Sequence, residues 1–323
     1  MSAGLARTVL GDVSPDLLGH TQCHEHLFIA KGPSYERNPA LWMDDPQKTA
    51  DELKYYREAG GGAVLDAQPA FCGRMATALA AVSRDSGIYV LAVSGFHKSL
   101  FYEPDSFPMT AGGDALARFF ASEVRTGMIG EGGGRTSHRA GILKAAMDEG
   151  GIDSAPRYRR SFEAVAEAAA ETGAPLLVHT EKSADVLEAV TFFRDRGLEA
   201  NRLILCHLDR THRIPSLHKE LLTVGCYLCY DSVNRLKYLS HEQEISLITE
   251  MLACGHGDRL LLSLDTTSER LRAYGGHMGL DYILTTFLDM LRAEGVEEEA
   301  ILKMTRSNTQ KALALRGAKR ECT

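Results

Sequence analysis

Short, continuously apolar runs recur along this 323-residue chain, and longer amphipathic stretches separate them. The runs are "GGAVLDA" (61–67), "IYVLAVSGF" (88–96), "AGILKAA" (140–146), "PLLVHT" (175–180), "RLILCHL" (202–208), "GCYLCYD" (225–231) and "RLLLSLD" (259–265), with the opening segment 17–26 as the eighth. A strand solvated on one face alternates apolar and polar residues; a strand buried on both faces reads as an unbroken apolar run. Helix signals fill the gaps. "DPQKTADELKYYREAG" (45–60) has a proline in its first turn and a glycine after its end, and "RYRRSFEAVAEAAAETGAP" (157–175) ends in Gly then Pro. Further helices are expected near 73–86, 113–126, 183–197, 214–224, 241–255 and 278–294, with an extra C-terminal helix over 297–315. Strands alternating with helices in this order predict an α/β fold, a single (β/α)8 or TIM barrel. Such a barrel takes up this much chain as one domain, and no linker or low-complexity segment divides residues 1–323.

Composition narrows the function. A net charge of −7 argues against a nucleic-acid partner, which needs a clustered basic face. No run of 18 apolar residues is present, so no membrane span is expected. The start, "MSAGLARTVLGDVSPD", lacks a long apolar core before a small-residue cleavage site, and a cytoplasmic protein is expected. The seven cysteines are an odd number, Cys23, Cys72, Cys206, Cys226, Cys229, Cys254 and Cys322; without an export signal they suggest reduced thiols. Cys226 and Cys229 form a CxxC, but no second such pair exists for a zinc ribbon, and packing in a buried strand is the expectation. The glycine-dense "GMIGEGGGRTS" (127–137) does not fit a phosphate-binding GxxxxGK[ST], since Gly132 is followed by Gly133 and Gly134; it is expected to be a flexible connection.

Reactive residues of such barrels sit at the C-terminal ends of the strands. The first strand finishes in His24 and His26, whose side chains share a face because alternate residues of a strand do; Glu25 points the other way. The fourth carries Lys144, the fifth ends in His179, the sixth in His207 and the eighth in Asp265. Taken singly, each histidine reads as a hydrogen-bonded core residue and Asp265 as a helix cap. Lys144 is awkward in any case, because burying an ammonium is costly. Taken together, at matching ends of one barrel, they predict a metal centre. A lysine depressed by burial and by nearby positive charge can react with carbon dioxide, and the resulting carbamate has two oxygens with which to bridge two cations. Two divalent ions less the carbamate, Asp265 and a hydroxide leave a positive residue of charge that can polarise a carbonyl or phosphoryl oxygen.

These motifs resemble the phosphotriesterase family of the amidohydrolase superfamily, in its phosphotriesterase-related and lactonase branch. The likeness rests on "GHTQCHEHL", "GGGAVLDAQPAFCGR" (60–74), "VSGFHKSLFY" (93–102), "AGILKAA", "VHTE", "CHLDR", "SLDTT" and the closing "LRAEGVEEEAILKMTRSNTQKALAL". The resemblance implies that His24, His26 and Asp265 hold the more buried metal and that His179 and His207 hold the more exposed one. Carboxylated Lys144 and a hydroxide would bridge them. It implies zinc, with manganese or cobalt as substitutes. It also implies attack of the bridging hydroxide on a lactone or related carboxylic ester, with Asp265 and Lys144 as catalytic groups and Asp265 passing the proton to the leaving group. Relatives are often dimers, which makes a homodimer the expectation.

The same machinery serves other bonds. A second reading is therefore hydrolysis of an N-acyl amide or phosphotriester, and a third is a non-catalytic ligand-binding barrel. Specificity should come from the loops. "GFHKSLFY", "DSVNRLKY" (231–238) and "RAYGG" (272–276) resemble the branch that opens sugar lactones, phosphorylated furanoses included. Expected contacts to a small-molecule substrate are His97, Lys98, Arg235, Lys237, Arg270, Arg272 and Tyr274. The chain departs from that branch in "DTTSERLRAYGG". There Ser268 and Leu271 occupy the places of a phosphate-holding arginine and tyrosine, leaving Arg270 or Arg272 to compensate. His138, His212, His218, His241, His256 and His277 fall in loops or helices, and none is expected to be a ligand.

Overall fold

A computed structural model describes residues 4–316 of the chain. Eight parallel strands follow one another around a nearly closed barrel: β1 (His20–Glu25), β2 (Gly61–Asp66), β3 (Tyr89–Gly95), β4 (Ile142–Ala146), β5 (Leu176–His179), β6 (Leu203–Cys206), β7 (Tyr227–Tyr230) and β8 (Leu260–Leu262). Their side chains divide between two apolar layers. Leu65, Leu91, Ile142, Leu177, Ile204 and Leu261 fill the interior. Val64, Val90, Leu143, Leu176, Leu205 and Leu228 pack outward beneath the helices. Both faces of each strand are therefore dry, which is why the runs read as continuous. The period of two also aims the site: Lys144 shares the inner face with Ile142, and His179 with Leu177.

The helix signals act as expected at their ends. Asp45 Oδ1 accepts from the Gln47 and Lys48 N–H groups at the start of Pro46–Glu58. Helix Pro156–Thr172 stops at Gly173, whose φ of 70° is the left-handed conformation glycine adopts without a Cβ clash. The closing helix runs from Glu298 to Ala312 with a π-type turn over Lys303–Ser307.

Three local expectations are corrected. Residues 17–19 do not extend β1: a 3-10 turn, Pro15–Leu18, precedes it. Residues 314–315 leave the final helix and pair with Leu5–Thr8, which also pairs with Gly11–Val13. This small antiparallel sheet, with Ala6, Leu18 and Leu313, closes the floor at the N-terminal ends of the barrel strands. The glycine-dense loop is tied down rather than free. Ile129 and Arg135 bridge across it, and Glu131 accepts from the Thr77 and Ala78 N–H groups. It thereby caps helix Ala76–Ser86, whose own N-cap residue, Met75, has no acceptor. The described cysteines are all free thiols, and Cys322 lies outside the described residues. Among the described residues no helix is long and apolar enough to cross a membrane.

One polar network braces the wall. The fully buried side chains of Arg74 and Glu123 form a two-pronged ion pair, and Glu123 also accepts from Ser94 Oγ (2.8 Å) and Ile129 N–H (2.9 Å). Removing one member strands the other as an unpaired buried charge. Glu123→Ala is expected to cost about 3–5 kcal/mol, lowering the melting temperature by about 4–7 °C for a chain of this length. Thermal denaturation followed by circular dichroism measures it; an unchanged midpoint would show that the pair contributes nothing.

Candidate active site

The C-terminal ends of the strands form a mouth in which buried imidazoles and carboxylates converge. His24 and His26 enter from β1. Asp231, the residue after β7, lies 3.0 Å from His24 Nδ1 through one oxygen and 2.7 Å from His207 Nδ1 through the other. It is wholly buried, and it turns the Nε2 atoms of both rings toward the centre. Asp265 Oδ1 lies 3.4 Å from His26 Nε2 and 3.8 Å from His24 Nε2. His207 Nε2 lies 2.7 Å from His179 Nδ1. Two ring nitrogens that close must have a proton or a cation between them. His207 and Asp265 both sit at positive φ, 70° and 50°, the local strain that functional sites tend to carry.

Electrostatics prepare these groups for ligation. Burial pulls His26 and His179 down to about 4, so both rings are neutral at pH 7, the form that binds a metal. Lys144 is fully buried, with its Nζ 2.6 Å from the Ala67 carbonyl, and burial lowers its pKa against the pull of Cys72 and Asp265. A larger neutral fraction is the form that can attack carbon dioxide. Burial opposes ionisation of Asp265, yet the guanidiniums of Arg235 and Arg210 hold its carboxyl well below the usual range. They do so from its Oδ2 side, at 3.3 and 2.8 Å, leaving Oδ1 to the histidines. Some of these groups are close enough together to hold a cation. His24, His26 and Asp265 offer ligand atoms within 4.8 Å of one another. His179 and His207 meet beside this group, and Lys144 enters from β4, next to the strand that carries His179.

Above these groups opens a cavity of about 250 Å³. His97, Lys98, Arg235 and Lys237 line it as expected. His97 packs against Phe101 and His179 rather than joining the ligand set. Lys98 pairs with Glu181, which also lies 3.0 Å from His179 Nε2. The other three expected contacts do not line the cavity. Arg270 is buried beneath it, donating to the Val233 and Asn234 carbonyls. Arg272 turns outward to Asp281, and Tyr274 bonds Thr49 and the Asp45 carbonyl. Neither compensating arginine lines this cavity. None of His138, His212, His218, His241, His256 and His277 lines the cavity. Sequence reasoning passes over Asp231, Glu181 and Arg210. Asp231 obeys the strand-end rule and was findable; Arg210 is not, since the turn Leu208–Thr211 that aims it has no periodic signature.

The profile of the phosphotriesterase family matches residues 5–313. The chain belongs to that family. A phospho-furanose lactonase of Mycoplasmopsis synoviae is 28% identical over 97% of this chain and 93% of its own length. An N-acetyltaurine hydrolase of Danio rerio is 24% identical over 97% and 99%. Among solved structures, a lactonase from Listeria monocytogenes superposes with a TM-score of 0.88 at 26% identity, covering 97% of this chain and all of the other. The phosphotriesterase homology protein of Escherichia coli, complexed with phosphate in its active site, gives 0.84 at 27% identity over 92% and 99%. This phosphotriesterase-family protein is accordingly an enzyme, a hydrolase of a metal-dependent family, and its candidate ligand groups lie at the strand ends of the shared barrel.

Proposed function

We propose that this enzyme hydrolyses a lactone, or a related carboxylic ester, that carries an anionic substituent. It would do so at two divalent ions held by His24, His26, His179, His207, Asp265 and carboxylated Lys144. The observation that carries the reading is the convergence of six residues of metal-ligating kinds, four imidazoles, a carboxylate and a buried amine, below a cavity whose wall is cationic. Bound ions supply a water of lowered pKa and a polarised carbonyl, and imidazole and carboxylate donors suit zinc, manganese or cobalt. The chain does the rest. The Lys144 amine adds to the carbon of CO2 and loses a proton, becoming an anion with two donor oxygens. Asp231 holds the His24 and His207 rings at Nδ1. Asp265 stays ionised at the edge of the cavity, where its carboxylate can take the proton of the attacking water and return it to the ring oxygen as the acyl C–O bond breaks. Water is thus divided between the carbonyl carbon and the leaving alkoxide, giving a hydroxy acid.

The cations select the substrate. Arg210 and Arg235 line the cavity beside Lys237, which forms no ion pair among the described residues. A carboxylate or phosphate on the substrate gives Lys237 its partner. An N-acyl amide of an anionic amine is the second reading, favoured by the N-acetyltaurine hydrolase relative. A neutral phosphotriester would leave the cationic wall unused.

The test is a panel of anionic and neutral lactones, N-acyl amides and phosphotriesters, with zinc-loaded protein in bicarbonate. Anionic lactones should show the highest kcat/KM. Lys237→Ala should raise KM for them by about 10–100-fold, the value of one charged hydrogen bond, and leave neutral lactones unaffected. Preference for neutral lactones would remove the anion from the reading; no turnover of any member would favour a binding protein.

A further inference from the structure

The ladder of the barrel runs from β1 to β8 without closing: among the described residues, those two strands share no ladder pairing. At that seam the Asp265 N–H reaches the His24 carbonyl at 3.0 Å, and a buried side chain takes over the role of the missing ladder. Glu25 is wholly inaccessible. Its Oε1 accepts from Ser263 Oγ (2.7 Å) and the Leu264 N–H (2.7 Å). Its Oε2 accepts from the Thr266 N–H (3.0 Å) and Thr266 Oγ1 (2.8 Å). Ser263 Oγ in turn accepts from the His24 N–H at 2.9 Å. All four donors to Glu25 come from residues flanking Asp265, and Asp265 itself is held in a left-handed conformation that a non-glycine residue resists. Because side chains alternate along β1, Glu25 grips this turn from behind while His24 and His26 face it from within. Glu25 is absent from the cavity lining.

We infer that Glu25 is a positioning residue. It acts through Asp265, clamping the turn 263–266 across the open seam so that the Asp265 carboxylate meets the His24 and His26 rings. A carboxylate suits the task because all four partners are donors and it is an acceptor at both oxygens. The inference rests on the proposed reading of these three residues as metal ligands.

Glu25→Gln keeps the size but replaces one oxygen with an NH2, which then faces a backbone N–H of Leu264 or Thr266. In cobalt-loaded protein, a chelator should strip the ion at Asp265 about 10–100-fold faster than in the wild type. The visible absorption of the cobalt should shift, and kcat should fall with KM nearly constant. Thr266→Val, which removes one donor and keeps the shape, should act in the same direction more weakly and add little to Glu25→Gln, since both break one interaction. Unchanged chelation kinetics and spectrum in folded Glu25→Gln protein would overturn the inference, as would strict additivity of the two variants. If Glu25→Gln does not fold, Thr266→Val decides: wild-type chelation kinetics there would overturn it equally. Wild-type protein that takes up no cobalt would sink the metal-centre reading itself. Wild-type uptake with unaltered variants would sink the clamp alone.

Discussion

Lys144→Ala is expected to purify folded, with little bound metal and with lactone hydrolysis below detection. The lysine is wholly buried on the inner face of β4. Without its carbamate, two divalent ions would face each other with Asp265 as the one remaining anionic ligand of the proposed set. Four imidazoles, which bring no negative charge as ligands, cannot offset that repulsion. The fold should persist, because alanine in place of lysine removes a buried amine whose desolvation is itself unfavourable. Metal analysis after reconstitution with bicarbonate, circular dichroism and turnover on the best lactone measure the three claims. Wild-type metal content and activity in this variant would refute the carbamate assignment.

Asp231→Ala should produce the second-largest loss, although Asp231 belongs to neither proposed ligand set. Its carboxylate lies against the Nδ1 atoms of both His24 (3.0 Å) and His207 (2.7 Å), one ring from each group. An outer partner of a ligating histidine is worth about 10–100-fold in affinity or activity. Releasing two rings together should therefore cost about 10²–10⁴-fold in kcat/KM. Asp231→Asn should fall between, because an amide accepts from one ring but presents N–H groups to the other. Both ions should be affected by Asp231→Ala; retention of two ions at wild-type affinity would show that packing alone orients the rings.

The barrel was legible for one reason: a parallel sheet buried on both faces leaves an unbroken apolar signature, and its strand ends, where the six proposed ligands lie, fall at countable places. The same rule applies to Asp231 in "GCYLCYD", which the sequence reading nonetheless passes over. There the CxxC spacing draws attention to the thiols, and these do not face each other. Residues three apart in a strand point to opposite sides, so Cys226 packs outside the barrel and Cys229 inside it, beside Cys206 on the neighbouring strand. Which side chains after β8 line the cavity was not legible. Beyond Asp265 the chain has no period, and one turn decides whether a guanidinium enters the cavity. Arg270 points beneath it and Arg272 points away, while Arg235 and Arg210, on other loops, point in. The floor sheet escaped because strands of two to four residues are too short for any alternation to register.

That floor sheet has a practical consequence. Leu5 and Leu315 are direct partners in it, on the side of the barrel away from the mouth. A short peptide could splice these two positions together, and the chain could be reopened at the exposed tip of 131–134 without cutting a barrel strand. Tethering the protein to a solid support at Leu5 or Leu315 would likewise leave the substrate entrance facing outward.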